Sequence, residues 1–382
     1  MFYPSGIENL DILNNRLFQI TVMKLLCVID SLGPGGAQRQ MVELAKGFKE
    51  RGCDVSFLVY HEENFFKNEL DAVCVPIVTI IESNYIKRLF KMRKFIRKGN
   101  YDAVLSFLEA ASFISEFAGL PWKNWKLIVG ERSANPNILK SYKRKFYRWF
   151  HLFADHVTAN SYENLKMVRK INPMLSKKKS KVIYNLVDFN YWKQADDYLP
   201  FEGAKLNLVV AASHQYLKNA KGLIDAISEL HEEDKQKIRV MWYGDESPDN
   251  SYKEAKNLVA QYSLENIIFF HEATNDIKRK LQYADVIGIF SLYEGLPNVL
   301  CESLSIGKPI ISSAVSDIST LLNNNIRCLF DPYNVKEISK TLSYVLSLSS
   351  DELLALGESN RLIGCKLFDK KKIINSYMSL FK

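Results

Sequence analysis

"SLYEGLPNVLCESLSIGKPII", residues 291–311, places two carboxylates eight positions apart around a Gly-Leu-Pro turn. The apolar run before this stretch predicts a buried strand, and Gly307 followed by Pro309 predicts the end of a helix and a return to the sheet. Glu294 is therefore expected in the loop at the strand's end, and Glu302 on the helix. A helix N-terminus reached through such a loop presents unpaired N–H groups, which suit a phosphate.

Strand patterns alternate with helical patterns along the chain, which predicts parallel α/β layers. A polar, strand-poor stretch from Asp188 to Glu202 separates two such series. We therefore expect two Rossmann-like doubly wound domains facing each other across a cleft, with ligands at the carboxyl ends of the strands. The predicted boundaries are an N-terminal extension at 1–22, for which an overextended gene start is an equal alternative, domains at 23–190 and 203–365, and a C-terminal helix at 366–382 that can fold back on the N-terminal domain.

Composition assigns the chain to the soluble globular class, since 47% of its 382 residues are hydrophobic and 25% are charged. No apolar run reaches the roughly 20 residues of a membrane span. Glu8 and Asp11 lie where a signal peptide would be apolar, so a cytoplasmic protein is expected. The scattered cysteines and histidines show no metal-ligand spacing, so no metal site is predicted.

The positive charge is concentrated in the N-terminal half. Residues 1–200 hold 30 Lys and Arg against 20 Asp and Glu, which gives +10, whereas residues 201–382 hold 21 against 23, which gives −2. This asymmetry indicates that the N-terminal half meets an anionic partner.

Written as S-x-x-E-G-x-P-x-x-x-x-E-x-x-x-x-G-x-P-I, the quoted stretch resembles the signature of retaining nucleotide-sugar glycosyltransferases with the GT-B fold, of the family 4 type. The resemblance covers nearly all of the chain after Met23. Further matching segments are "GGAQR" (35–39), "ADHVTANS" (154–161), "VIYNLVD" (182–188), "KN…LIDAI" (218–227) and "YADVIGIFSLYEG" (283–295).

The resemblance implies that Glu302 holds the nucleotide ribose and that Glu294 faces the transferred sugar. Lys218 would neutralise the leaving diphosphate, which Gly35 and Gly36 would approach closely. The donor-binding residues implied in the loop are Gly295, Leu296, Pro297 and Asn298.

The sequence departs from the family pattern at two places. The family usually has an arginine about five residues before Lys218, where this chain has "AASHQYLKN". Either Lys221 or an arginine elsewhere would then supply the second charge, or the diphosphate would be held more weakly. Where many members have a histidine near the sugar, this chain has "VGERSANP", so Arg132 or Glu131 would take that place in catalysis. A structural ion pair between Glu131 and Arg132 is an equal alternative.

The implied reaction is hexosyl transfer with retention, without a metal, a cofactor or a protein nucleophile. The expected donor is a UDP-sugar, and the expected acceptor is a surface polysaccharide, lipopolysaccharide or lipid-linked glycan. A UDP-sugar epimerase on the same fold is one alternative, and it would convert the donor with no acceptor present. A basic nucleic-acid-binding protein is another, but the chain has no recognised nucleic-acid motif, so no nucleic-acid partner is expected.

Two basic, aromatic segments at 85–100 and 140–153 leave a further choice open. Each suits a core-packed helix with a solvated basic face. Each equally suits contact with anionic lipid, which would place the protein at the inner face of the cytoplasmic membrane.

Overall fold

The computed structural model describes residues 22–198 and 205–382. The predicted extension up to residue 21, residues 199–202 of the predicted linker and residues 203–204 of the predicted second domain lie outside the described residues.

The first domain is built on a seven-stranded, all-parallel sheet with the strand order β3-β2-β1-β4-β5-β6-β7. Its strands are β1 (Lys24–Val28), β2 (Asp54–Val59), β3 (Ile77–Thr79), β4 (Ala103–Phe107), β5 (Lys126–Glu131), β6 (His156–Ala159) and β7 (Ser180–Val182). Its helices are α1 (Gly36–Glu50), α2 (Lys67–Asp71), α3 (Tyr85–Lys98), α4 (Glu109–Ala118), α5 (Tyr142–Phe150) and α6 (Tyr162–Ile171), with 3₁₀ turns at Pro136–Lys140, His151–Phe153 and Lys177–Lys179.

The second domain has a six-stranded, all-parallel sheet with the order β10-β9-β8-β11-β12-β13. Its strands are β8 (Leu206–Ala211), β9 (Ile238–Tyr243), β10 (Ile268–His271), β11 (Val286–Ile289), β12 (Ile310–Ser313) and β13 (Leu329–Phe330). The helices are α7 (Ala220–Ser228), α8 (Glu232–Lys237), α9 (Ser251–Gln261), α10 (Ile277–Gln282), α11 (Asn298–Ile306), α12 (Ile318–Leu321), α13 (Val335–Leu346), α14 (Ser350–Leu367) and α15 (Lys370–Met378), with 3₁₀ turns at Tyr216–Lys218 and Asn323–Cys328.

Both sheets reverse their strand order beside the first strand of the domain, between β1 and β4 and between β8 and β11. In open α/β sheets this reversal leaves a crevice at the carboxyl ends of the strands, where ligands bind. The prediction of two doubly wound Rossmann-like domains is confirmed. The sequence did not indicate β3 and β13, because edge strands of three and two residues are too short to show an alternating pattern.

Helix α11, which carries Glu302, is fixed by close packing against α14. A Cβ on Gly364 of α14 would lie 3.0 Å from the carbonyl carbon of Leu304, so only glycine allows the two helices to come this near. Gly307 ends α11 in the left-handed conformation, with φ of 79°. The sequence prediction that Gly307 ends this helix is confirmed.

The C-terminal helix α15 leaves the second domain and packs on α1 of the first. Tyr377 and Phe381 are buried in the core of the first domain, and the ring of Phe381 lies 5.3 Å from that of Phe48. Lys370 Nζ also lies 2.7 Å from Glu50 Oε1. The chain therefore connects the two domains a second time, beyond the linker.

Candidate active site

The loop after β11 brings Glu294 to Lys218. The backbone N–H of Leu292 donates to the carbonyl of Leu217 at 2.8 Å, which joins this loop to the turn before α7. Lys218 Nζ then lies 2.5 Å from Glu294 Oε1, and Ser291 Oγ donates to the same oxygen at 2.8 Å. The loop thus presents a paired carboxylate and ammonium at the carboxyl end of β11.

Glu302 lies in the second turn of α11 and contacts a residue of the first domain. Its carboxylate is 8% exposed, and Arg39 Nη2 lies 2.5 Å from Oε1. Burial raises the pKa of Glu302, while the Arg39 guanidinium acts in the opposite direction. The guanidinium of Arg39 also lies 5.1 Å from the ring centre of Trp192. Arg39 therefore connects the first turn of α1 to the carboxylate predicted to hold ribose.

The N-termini of α1 and α11 meet across the cleft through Asn298. Its side-chain amide donates to the carbonyl of Gly36 at 3.2 Å, and its Oδ1 accepts from Gln40 Nε2 at 3.2 Å. Asn185 Nδ2 donates to Asn298 Oδ1 at 2.7 Å and to the carbonyl of Leu296 at 3.0 Å. The structure thus brings Gly36, Leu296 and Asn298 together, and their predicted part in binding the donor stays a prediction.

The loop glycine allows the first domain to approach the turn closely. A Cβ on Gly295 would lie 2.9 Å from the carbonyl oxygen of Arg132 and 2.9 Å from Asn160 Oδ1. Pro297 takes the capping position immediately before α11. Gly35 takes the corresponding position before α1. Both helices of the cleft therefore begin at the residues that the sequence predicts to meet the donor.

Arg132 lies beside this centre, and both of its terminal nitrogens are occupied. Nη1 donates to Asn185 Oδ1 at 2.9 Å, Nη2 donates to Tyr377 Oη at 2.8 Å, and the guanidinium lies 3.8 Å from the ring centre of Phe107. Burial lowers the pKa of Arg132, and Tyr377 opposes this change. The structure thus shows Arg132 supporting Asn185, and its predicted catalytic role stays a prediction.

The alternative of a Glu131–Arg132 ion pair is wrong. Glu131 instead lies 2.8 Å from Arg148 Nη2 and 2.9 Å from His151 Nε2, and Glu116 lies 2.6 Å from His151 Nδ1. Successive side chains at the end of an extended strand point to opposite sides, so Glu131 turns beneath α5 while Arg132 turns toward Asn185. Burial lowers the pKa of His151, but Glu116 and Glu131 outweigh it and raise this pKa to about 9. Glu131 therefore belongs to a buried ionic cluster.

Lys221 is not brought to the two glutamates. Its Nζ lies 2.5 Å from Asp225 Oδ2, one helical turn along α7, and its side chain is 68% exposed. The basic residue found at the second glutamate is Arg39, an arginine from elsewhere in the chain. The sequence offered one indication of Arg39, its place in "GGAQR" in the first turn after Gly35 and Gly36.

Within residues 22–198 and 205–382, no group of three or more His, Cys, Asp and Glu side chains has an arrangement that could hold a metal ion. Across the same ranges, no helix is both long and apolar enough to cross a bilayer.

Comparison with known proteins identifies the family. Residues 34–191 match the model of Glycosyltransferase Family 4, and residues 190–362 match that of Glycosyl transferases group 1. The chain is a glycosyltransferase of the GT-B fold and family 4 type. The two matched segments meet between the two sheets, so each family model covers most of one sheet, with strand β1 lying before the first matched segment.

Among curated relatives, this glycosyltransferase is 26% identical over 297 residues to the Campylobacter jejuni enzyme named GalNAc-α-(1→4)-GalNAc-α-(1→3)-diNAcBac-PP-undecaprenol α-1,4-N-acetyl-D-galactosaminyltransferase, with 74% of this chain and 77% of the relative covered. It is 24% identical to the MMP α-(1→4)-mannosyltransferase of Mycolicibacterium hassiacum over 48% of this chain and 45% of that one. The crystal structure of Anabaena HepE in complex with UDP and glucose superposes with a TM-score of 0.82 at 18% identity, over 94% of this chain and 98% of that chain.

Proposed function

We propose that this glycosyltransferase moves a hexose from a UDP-sugar to a cell-envelope glycan or lipid-linked glycan, with retention of configuration and without a divalent metal. The observation that carries the proposal is the pair of carboxylates on one loop and helix, each held by a cation, at the carboxyl end of β11.

The arrangement suits the parts of a nucleotide-sugar. A nearly buried carboxylate such as Glu302 can accept two hydrogen bonds from neighbouring ribose hydroxyls, as acidic residues do in dinucleotide-binding folds. The start of α11 offers backbone N–H groups and a positive dipole end to the diphosphate. Glu294, at the near end of the loop, is left to face the sugar. The HepE structure named above contains UDP and glucose, which favours the same donor class here.

The proposed chemistry uses the diphosphate as both leaving group and base. The bond between the anomeric carbon and the diphosphate oxygen breaks, and Lys218 with the helix dipole stabilises the charge that develops on that oxygen. The acceptor hydroxyl attacks the same face of the sugar, which retains its configuration. Its proton passes to the departing diphosphate oxygen, so no protein nucleophile and no divalent cation take part.

The acceptor is proposed from the named relatives. The Campylobacter enzyme acts, by its name, on a glycan carried by undecaprenyl diphosphate. A glycan of that kind is anchored in a bilayer, and the excess positive charge of the first domain suits a partner at an anionic surface. We therefore place the acceptor among lipid-linked or surface glycans.

We also propose that the first domain touches the inner face of the cytoplasmic membrane. Helices α3 and α5, from the two basic segments, both pack against α4, so the two segments lie on one side of the domain. Exposed aromatic rings lie among their lysines, with Phe90 56% and Phe146 53% exposed. Basic side chains surrounding exposed aromatic rings are typical of a surface that binds anionic lipid.

The donor is tested by calorimetric titration of the protein with UDP, GDP and ADP, followed by a panel of UDP-sugars with a polyprenyl-diphosphate-linked glycan as acceptor. We expect UDP to bind tightest, and one UDP-sugar to give a product whose anomeric configuration, read by proton NMR, matches that of the donor. EDTA should leave the rate unchanged. Inverted configuration, loss of activity in EDTA, or conversion of the donor with no acceptor present would contradict the proposal.

A further inference from the structure

The cation that joins α1 to α11 has no assigned role in the reaction described so far. Arg39 lies in the first domain, whereas its partner Glu302 lies in the second. If ribose hydroxyls bind Glu302, they compete with Arg39 for the same carboxylate oxygens. Binding of the donor therefore brings new hydrogen-bonding groups to the carboxylate that Arg39 contacts.

The side-chain charges at the cleft indicate which part of a bound donor the Arg39 guanidinium can contact. Lys218 is already paired with Glu294, and Arg39 with Glu302, so these four side chains sum to zero. A nucleoside diphosphate brings at least two negative charges to this place. Without Arg39 the remaining three side chains would have a net charge of −1, which opposes an anion. The site needs this guanidinium to balance the diphosphate.

The position of Arg39 fits a phosphate ligand. It occupies the first turn of α1, immediately after Gly35 and Gly36, and the carbonyl of Gly36 accepts a hydrogen bond from Asn298 at the start of α11. The N-terminal ends of two helices therefore converge where Arg39 crosses the cleft. A guanidinium presents several donors in a plane and can bind phosphate oxygens through two hydrogen bonds at once.

Trp192 holds the guanidinium ready for this contact. The indole ring lies 5.1 Å from the guanidinium and is 6% exposed. The carbonyl of Trp192 accepts from Ser305 Oγ of α11 at 2.8 Å, so the backbone that carries the ring is joined to the same helix as Glu302. The side chain of Arg39 stays 31% exposed and thus within reach of a ligand in the cleft.

We propose that Arg39 is the second diphosphate-binding cation of the donor site, and that Glu302 and Trp192 hold it in place until ribose takes over the carboxylate. The inference rests on the proposed function, because it assumes that a nucleoside diphosphate enters this cleft. It assigns to the first domain a direct part in binding the donor.

The test compares a ligand that has the diphosphate with one that lacks it. The variant Arg39→Gln and the matched control Arg51→Gln, an exposed arginine at the end of the same helix, are titrated with UDP and with uridine. Because a charge-assisted hydrogen bond is lost, we expect Arg39→Gln to weaken UDP binding about tenfold or more and to leave uridine binding within about twofold. Arg51→Gln should match the wild type with both ligands.

Arg39→Lys keeps the positive charge and is the second variant to use if Arg39→Gln folds poorly. We expect Arg39→Lys to bind UDP more tightly than Arg39→Gln but less tightly than the wild type. The inference is overturned if Arg39→Gln binds UDP as tightly as the wild type, if it loses UDP and uridine affinity equally, or if a folded Arg39→Lys binds UDP no better than Arg39→Gln. If the wild type binds UDP, these outcomes reject only the role of Arg39. If the wild type binds none of UDP, GDP and ADP, the proposed function itself fails.

Discussion

The ammonium of Lys218 and the carboxylate of Glu294 lie 2.5 Å apart while both remain in contact with solvent, 22% and 15% exposed. An ion pair this accessible contributes little to folding stability. It does fix both groups in the cleft, because Ser291 also donates a hydrogen bond to the same carboxylate oxygen. The pair is therefore better explained as preparation for a ligand than as a stabilising contact.

Replacing Lys218 by Ala should lower kcat about 100-fold, because the charge developing on the leaving diphosphate loses a stabilising cation. Steady-state kinetics with the best UDP-sugar checks this, with Lys253→Ala, an exposed lysine of α9, as the control. A Lys218→Ala enzyme with nearly normal kcat and a raised KM would show that the lysine acts in ground-state binding instead.

The sequence predicted the two glutamates and Lys218 but not Arg39 or Asn185, and the reason is physical. Glu294 and Glu302 lie at a fixed spacing around a turn, and such local spacing can be recognised from the sequence alone. Arg39 and Asn185 reach the site only because two domains meet, and no periodicity encodes a contact between distant segments. Lys221 was predicted as one substitute for the arginine that the family usually has before Lys218, whereas helical geometry pairs it with Asp225 four residues on.

Among the elements, helix α4 packs against both α3 and α5 and so determines which side of the first domain carries their exposed aromatic rings. The rings of Phe113 and Phe117 on α4 contact Phe146 of α5 at 5.8 Å and Phe90 of α3 at 5.7 Å. Aromatic ring contacts thus join the three helices, with Phe113 buried and with Phe90 and Phe146 exposed. Met92 and Ile96 share one helical stripe of α3, and both are buried. The sequence alone did not predict that Phe90 is exposed, because a helical period does not show where the neighbouring helices end.

This surface should bind vesicles that contain anionic lipid. We expect sedimentation with phosphatidylglycerol-containing vesicles, weakened by salt, and little binding to pure phosphatidylcholine. Lys94→Glu/Lys143→Glu should reduce binding about tenfold or more, since each lysine near an anionic surface contributes about 1 kcal/mol. The control Lys253→Glu/Lys336→Glu makes the same charge change in the second domain. Equal loss in both variants, or equal binding to both kinds of vesicle, would reject the membrane surface.

The longer apolar strands could be predicted from the sequence. In an alternating α/β chain, a run of β-branched and aromatic residues between turn residues has few structural alternatives to a buried strand. The ends of α11 show the limit of this reasoning. Gly307 gave the C-terminus correctly, since a positive φ requires glycine there. The helix begins at Asn298, whose side chain is engaged by Gly36, Gln40 and Asn185, a role that its position in the sequence does not show.

At the scale of the whole molecule, the two domains are in contact on both sides of the loop and helix. Besides the bonds to Asn298, the carboxylate of Asp317 in the second domain accepts from the backbone N–H groups of Tyr162 and Glu163 at 2.8 and 3.2 Å, at the start of α6. The C-terminal helix α15 adds the contact with α1. The elements proposed to bind the donor are therefore held together in one cleft, to which Glu302 and Arg39 contribute from opposite sides.

The central claim is that Glu302 holds the ribose of the donor. It is tested most directly by titrating the wild type and Glu302→Ala with UDP and with 2′,3′-dideoxy-UDP. 2′,3′-Dideoxy-UDP lacks the two hydroxyls that would donate hydrogen bonds to the carboxylate. We therefore expect the wild type to bind UDP at least tenfold more tightly than the dideoxy ligand. The affinities of Glu302→Ala for the two ligands should lie within about twofold of each other, because removing the carboxylate and removing the hydroxyls abolish the same interaction. A Glu302→Ala protein that still prefers UDP by the wild-type factor would contradict the account.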